Sequence, residues 1–186
     1  MRIHTCGAGS ALRAATHTVR TLAGALCAAA LFALPAPTSA EGSGNELSYE
    51  AWIDSPRRFK CLYGYAADKT GDHAAAIRIF QDCVDRWNDG FSIIWLSQIL
   101  ETGVGVPQDL PRATALLRRG AESDDGDGYH SLTRYHYGVA LFEGRGTAAD
   151  PAAGEYWLRR AASEGVREAD DYLSRVRAGE VTAARR

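Results

Sequence analysis

The chain has 186 residues, of which 24% are charged, and its 21 basic and 23 acidic side chains leave a formal charge of −2. A nearly balanced, slightly acidic chain lacks the basic footprint that nucleic acid demands. Its main apolar run, residues 21–34, is shorter than the roughly 20 residues a helix needs to cross a bilayer.

Residues 1–40 contain no acidic side chain and read as a signal peptide. Arg2, Arg13 and Arg20 precede the apolar run, Pro35 and Pro37 end it, and the small residues Ser39 and Ala40 suit cleavage after Ala40. An uncleaved anchor is the alternative. Removing those three arginines from 21 basic residues leaves 18 against 23 acidic ones, so the mature chain carries about −5. Cys6 and Cys27 leave with the signal, and Cys61 and Cys83 stay. In an exported protein, periplasmic or secreted, such a pair is expected to form one disulfide, contributing about 3 kcal/mol through loop closure. Two buried thiols in a helix pair is the other reading.

Residues 41–55 begin as a Gly/Ser-rich linker and end with Tyr49 and Trp52, which could tuck against the first helix. Ser55-Pro56 then predicts a helix start, with Ser55 as cap and Pro56 at the first helical position. The helix runs through RRFKCLYGYAADK and breaks at Gly71-Asp72. Beyond the break, Ala76, Ile79, Phe80, Cys83, Val84 and Trp87 recur at spacings of three and four and share one face. Gly64, Ala67, Gly71-Asp72, Ala76, Phe80 and Cys83 resemble the small, turn and aromatic positions of a tetratricopeptide repeat. Ala67 and Cys83 depart from that pattern, which has tyrosine and alanine at the two positions.

The second hairpin, 91–123, has a longer joint. FSIIWLSQILE reads as a helix, TGVGVPQD as an extended connection, and Asp109 as the cap of a helix with Pro111 in its first turn. The stretch GVGVPQDLPRATALLRR at 103–119 recurs 41 positions later as GRGTAADPAAGEYWLRR at 144–160, with Gly103, Gly105, Asp109, Leu117, Arg118 and Arg119 repeated as Gly144, Gly146, Asp150, Leu158, Arg159 and Arg160. A fixed period of this size marks a stack of supersecondary units that displays a surface. Leu96, Leu100, Gly103, Gly105, Val106, Asp109 and Ala113 are similar to the signature of the Sel1-like repeat, a subclass of the tetratricopeptide-like solenoids. The third hairpin repeats it with Tyr137-Gly138, Leu141, Gly144, Gly146, Asp150, Gly154 and the closing WLRRAASEG. Ala169 and Leu173 then open a further unit that has no second helix, as a terminal cap requires. Relative to the first junction, SDDGDGYH at 123–130 carries four inserted residues.

The resemblance implies an all-α, right-handed α-solenoid of helical hairpin repeats at 56–180, with units at about 56–88, 91–123 and 130–164. A capping helix at 166–178 and a tail at 181–186 complete it. Small residues fall where paired helices cross: Gly64, Ser97 and Gly138 on the first helices, Ala76, Ala113 and Gly154 on the second. The Gly-x-Gly pairs read as turns rather than a phosphate cradle, since a third glycine, a preceding strand and a following Gly-Lys-Ser are all missing. Asp124, Asp125, Asp127 and His130 lack the spacing of a calcium loop and read as a solvated acidic segment. No metal, cofactor or catalytic residue is expected, because nothing places a nucleophile beside its base.

A surface remains. In solenoids of this class the first helix of each hairpin lines a concave groove, which here implies Tyr65, Asp68 and Lys69, then Ile94, Gln98, Glu101 and Thr102, then Tyr135, Val139, Phe142 and Glu143. Trp95 and His136 lie at its edge. The set is aromatic and acidic, suited to an apolar or basic peptide. The expected function is a protein- or peptide-binding adaptor of the bacterial cell envelope, or a secreted one. The alternative is a cell-wall-related hydrolase or penicillin/peptidoglycan-binding protein. The cysteine-rich relatives with that association carry a cysteine pair in every repeat, whereas this chain has one pair.

Overall fold

Aspartate starts most of the helices. The carboxylates of Asp72, Asp89, Asp109, Asp127 and Asp150 accept hydrogen bonds from the backbone amides of Ala75, Ser92, Arg112, His130 and Ala153. Each satisfies a donor that a helix start leaves free and places negative charge at the positive end of the helix dipole. A computed structural model describes residues 48–182, all within one compact unit, Glu41–Arg186. Residues 1–47, where the signal peptide is expected, and the last four residues lie outside the described part.

The helices follow in order: α1 Glu50–Ile53, α2 Lys60–Lys69, α3 His73–Trp87, α4 Gly90–Thr102, α5 Leu110–Ala121, α6 Gly128–Glu143, α7 Pro151–Ser163 and α8 Arg167–Arg177. No strand occurs among the described residues. α2 pairs with α3, α4 with α5 and α6 with α7, and each hairpin stacks on the next through α3·α4, α5·α6 and the row α2·α4·α6. The architecture is an α-solenoid. One core joins the first two hairpins through Phe80, Val84, Ile93, Leu96, Ala113 and Leu117. A second forms where α8 closes the stack over Val139, Phe142, Leu158 and Ala161, burying its own Ala169, Tyr172 and Leu173.

The small residues do what their spacing implies. Gly138 and Gly154 meet where α6 crosses α7, and a methyl on Gly138 would sit 2.9 Å from the Gly154 carbonyl oxygen. Ser97 and Ala113 meet where α4 crosses α5, with the Ser97 hydroxyl 3.4 Å from the Ala113 carbonyl. In the first hairpin the ring of Phe80 lies on Gly64.

The start of the first hairpin differs from the sequence reading. α2 begins at Lys60 with no side-chain cap, and Ser55 accepts only a 3.3 Å bond from the Arg57 amide. Residues 57–62 turn more tightly, with bonds from the amides of Lys60, Cys61 and Leu62 to the carbonyls three residues earlier. The fully buried Lys60 accounts for it. Its ammonium donates to the Ile53 carbonyl at 2.5 Å and to the Asp82 carboxylate, and lies 5.7 Å from the Trp87 ring. The chain between α1 and α2 wraps around this ion instead of extending the helix. Ahead of it, Trp52 stacks on Tyr63 with ring centroids 4.3 Å apart.

Cys61 on α2 and Cys83 on α3 form a disulfide, with Cα atoms 6.1 Å apart and 22 residues of separation. It ties the two helices of the first hairpin together and packs against Ile53 of α1 and Ile79 of α3. Thiol titration of residues 41–186, unfolded and unreduced, should find no free thiol. Replacing both cysteines by serine should cost about 3 kcal/mol in urea unfolding, and a loss well under 1 kcal/mol would show that the bond stabilises little.

Candidate functional site

α2, α4 and α6 lie side by side, and the surface they share holds most of the residues expected to meet a partner. Along it run two pockets. The first, about 300 Å³, is lined by Asp68 and Lys69 of α2, His73 of α3, and Trp95, Gln98, Ile99 and Thr102 of α4, with Val104 of the following turn. The second, about 130 Å³, is lined by Ile94, Ser97, Gln98 and Glu101 of α4, Leu117 of α5 and His136 of α6. Gln98 belongs to both, and its exposed side chain stands between them.

In the first pocket Asp68 takes a 2.9 Å hydrogen bond from Lys69 on one oxygen and pairs with His73 Nδ1 at 3.0 Å through the other. Burial pushes its pKa up, but the bonds from Lys69 and His73 outweigh that and hold the carboxyl below its ordinary range. The rings of Tyr65 and Trp95 are 4.8 Å apart, and the Lys69 ammonium lies 4.6 Å from the Trp95 centroid and 5.3 Å from that of Tyr65. At the far end, Arg145 reaches Glu101 at 3.6 Å and Glu143 at 3.0 Å, while the Tyr172 hydroxyl donates to Glu143 at 2.9 Å. The acids expected to give the groove a free negative charge are therefore partnered from within. Burial lowers the pKa of His136, the nearby Arg145 adds to this and Glu168 opposes it, so the imidazole is neutral at pH 7.

Two expected contact residues are not on the open surface. Val139 and Phe142 are each only 6% exposed, because α8 covers them, and Phe142 meets the Tyr172 ring edge-on at 5.9 Å. Positions that face a ligand in a middle repeat face the next first helix at the end of the stack. Tyr135 is half-buried against the same cluster, with its ring 4.9 Å from His136.

Other participants were not anticipated. Phe91 and Tyr129 extend the aromatic strip, with Phe91 6.1 Å from Trp95 and 5.3 Å from Tyr129. His73 pairs with Asp68, and Arg145 forms ion pairs with Glu101 and Glu143. The signal for Phe91 was its placement four residues before Trp95, one helical turn away. Arg145 stood in plain view inside a Gly-x-Gly turn.

The inserted segment is built rather than merely solvated. His130 is 1% exposed, with Nδ1 2.9 Å from Asp127 and Nε2 3.0 Å from the Asn88 carbonyl. Ligand atoms of Asp125, Asp127 and His130 lie within 4.8 Å of one another. Asp127 caps α6 and both ring nitrogens are occupied, so Asp127 and His130 are committed to starting α6 and tying it to the end of α3. Arg134, also 1% exposed, gathers the same segment through the carbonyls of Ala121, Ser123 and Asp125.

Residues 91–125 and 132–166, the hairpins α4–α5 and α6–α7, match the family model of the Sel1 repeat. The chain carries two Sel1 repeats. Sel1 repeats generally mediate interaction between proteins and are typically non-catalytic scaffolds. No curated protein and no solved structure matches the chain. No helix among the described residues is long and apolar enough to cross a membrane, and the buried disulfide fits an oxidising compartment.

Proposed function

We propose that this Sel1-repeat chain is a protein- or peptide-binding adaptor of the bacterial cell envelope, or a secreted one, and that it engages its partner through the face of α2, α4 and α6. The observation that carries the reading is the continuity of that face. Asp68, Trp95, Gln98, Glu101 and His136 come from three successive first helices and border two pockets that meet at Gln98, and the Tyr65 ring lies 4.8 Å from that of Trp95. Aromatic side chains with polar tips are the residues that dominate binding energy at interfaces. Export is supported by the charged, apolar and small-residue order of residues 1–40 and by the disulfide.

A hydrolase would need a nucleophile beside a base. The carboxylate–imidazole pair facing the first pocket, Asp68 and His73, has Thr102 as its neighbouring hydroxyl, and that hydroxyl donates to the Gln98 carbonyl at 2.8 Å. This arrangement favours binding over turnover.

A photo-crosslinking residue placed at Gln98 in cells should trap a discrete adduct, whereas the same residue at Tyr156, 58% exposed on α7, should not. Adducts at Tyr156 alone would move the interface to the opposite face and end the groove reading.

A further inference from the structure

The first pocket already contains a cation, and the way it is held says what else fits there. Lys69 follows Asp68 in the chain, and neighbouring residues on a helix point in different directions. To reach the Asp68 carboxylate at 2.9 Å and the faces of Trp95 and Tyr65 at 4.6 and 5.3 Å, the lysine side chain folds back along the surface of its own helix. Its side chain is still 49% exposed, so the pair is a solvated ion pair of low strength that restricts a long, flexible side chain. The receiving groups are the opposite. The Asp68 side chain is 10% exposed and fixed by the His73 ring at 3.0 Å. His73 is in turn pressed against the second glycine of the first Gly-x-Gly turn, where a methyl on Gly105 would lie 2.5 Å from the His73 Cβ. A rigid carboxylate and two aromatic faces inclined at 59° therefore stand ready, covered by a loosely held occupant, beside a cavity of about 300 Å³.

From this geometry we infer that the pocket is a guanidinium site: an arginine side chain of the partner displaces Lys69, pairs with the free side of Asp68 and lies on the rings of Trp95 and Tyr65. The inference rests on the reading of this face as the binding surface and specifies the partner's chemistry there. Guanidinium suits these walls better than a second ammonium. It is planar, so it can lie on a ring face while its edge donates to a carboxylate, and it sheds water more readily. Asp68 must be ionised to serve: Lys69 and His73 keep it so in the free protein, and His73 and the entering guanidinium do so in the complex. Lys69 is then a built-in competitor. It shields the carboxylate and rings in the free protein, and its ammonium swings into water when the arginine enters.

A built-in competitor gives the test a distinctive sign. The probe is the blocked tripeptide Gly-Arg-Gly, acetylated and amidated, with the citrulline tripeptide as the uncharged isostere. Binding is followed through the indole resonance of Trp95 in the mature protein. Arginine peptide should shift that resonance saturably and citrulline peptide should not. Lys69→Met should tighten binding by about threefold or more, since it removes the occupant and keeps the apolar stem. Asp68→Asn should weaken it about tenfold, and Trp95→Leu should weaken it as well, read from the Lys69 side-chain resonance. Equal binding of both peptides would overturn the inference, as would a Lys69→Met variant that binds no more tightly than wild type. The two readings fail separately. Arginine binding in the pocket without an adduct at Gln98 would leave the site standing and remove the groove as the interface. An adduct at Gln98 with no response to arginine would do the reverse.

Discussion

Replacing Arg134 with methionine should cost about 3 to 5 kcal/mol, because it removes one member of a buried charged network and leaves the others in place. The guanidinium is 1% exposed and donates in four directions: to the carbonyls of Ala121 at 3.2 Å, Ser123 at 2.5 Å and Asp125 at 3.4 Å, and to the Glu164 carboxylate at 2.7 Å. Methionine fills much of the volume and offers no donor, so the end of α5, the inserted segment and the end of α7 all lose their common tie. In a domain of this size the loss corresponds to a fall of about 10 °C in melting temperature, measurable by circular dichroism at 222 nm. Arg134→Lys should recover only part of it, since one ammonium cannot reach what a planar fork reaches. Glu164 supplies a second readout. Burial raises its pKa, but hydrogen bonds from Ser131 and Arg134 and the nearby Arg160 outweigh that and lower it. A carboxylate with a lowered folded-state pKa adds stability that is complete above its unfolded value and is lost as pH falls through the folded one. The wild type should therefore lose this part of its stability on acidification below about pH 4.5, and Arg134→Met should lose less over the same range. A methionine variant that melts within about 2 °C of wild type would show that the network is replaceable.

Arg134 also marks where sequence reasoning stops. The joints were legible because their chemistry is local. Asp109 and Asp150 cap helices three residues ahead of the amides they serve, Pro111 and Pro151 sit in the first turn, and the spacing of Gly103 and Gly105 repeats at Gly144 and Gly146. The cysteine pair was legible because only Cys61 and Cys83 follow residue 40. Lys60 and Arg134 were not, because what buries each ion comes from distant parts of the chain: Ile53 and Asp82 for the lysine, Ala121 and Glu164 for the arginine. The same limit applies to the candidate site. The groove rule for first helices points to Tyr65, Gln98 and Glu101, which do reach the surface, but it could not tell a middle repeat from the last one. Val139 and Phe142 went beneath α8 because no further hairpin stacks on the third among the described residues, and the terminal helix covers the apolar surface that α6 and α7 offer. The pairing of Asp68 with His73 was invisible for another reason, since the two lie on either side of the turn that reverses the chain.

Gly146→Ala should be the second severe change, at about 3 to 5 kcal/mol from left-handed strain and overpacking together. The residue has φ +65°, where a side chain is strained whatever the space around it. Here there is also no space. An added methyl would press into the carbonyl of Leu110, at the start of α5, and lie 2.6 Å from the Thr114 hydroxyl oxygen. That hydroxyl donates to the Arg145 carbonyl at 2.8 Å, so the joint of the third hairpin is fastened to the second helix of the hairpin before it. Gly71 separates the two contributions. Its φ is +90° but nothing lies within 4 Å of the added methyl, so Gly71→Ala should lose only the backbone part, about 1 to 2 kcal/mol. The excess in Gly146→Ala over Gly71→Ala then measures the stacking contact between repeats. The consequence extends to the groove, because Arg145 lies beside Gly146 and its side chain holds Glu101 and Glu143. A displaced turn should loosen both acids, and the Gln98 photo-adduct should weaken in Gly146→Ala at temperatures where the variant is still folded. Equal losses from the two alanines in urea unfolding would mean that the turn bends freely away from Leu110 and that its second glycine serves the chain reversal alone.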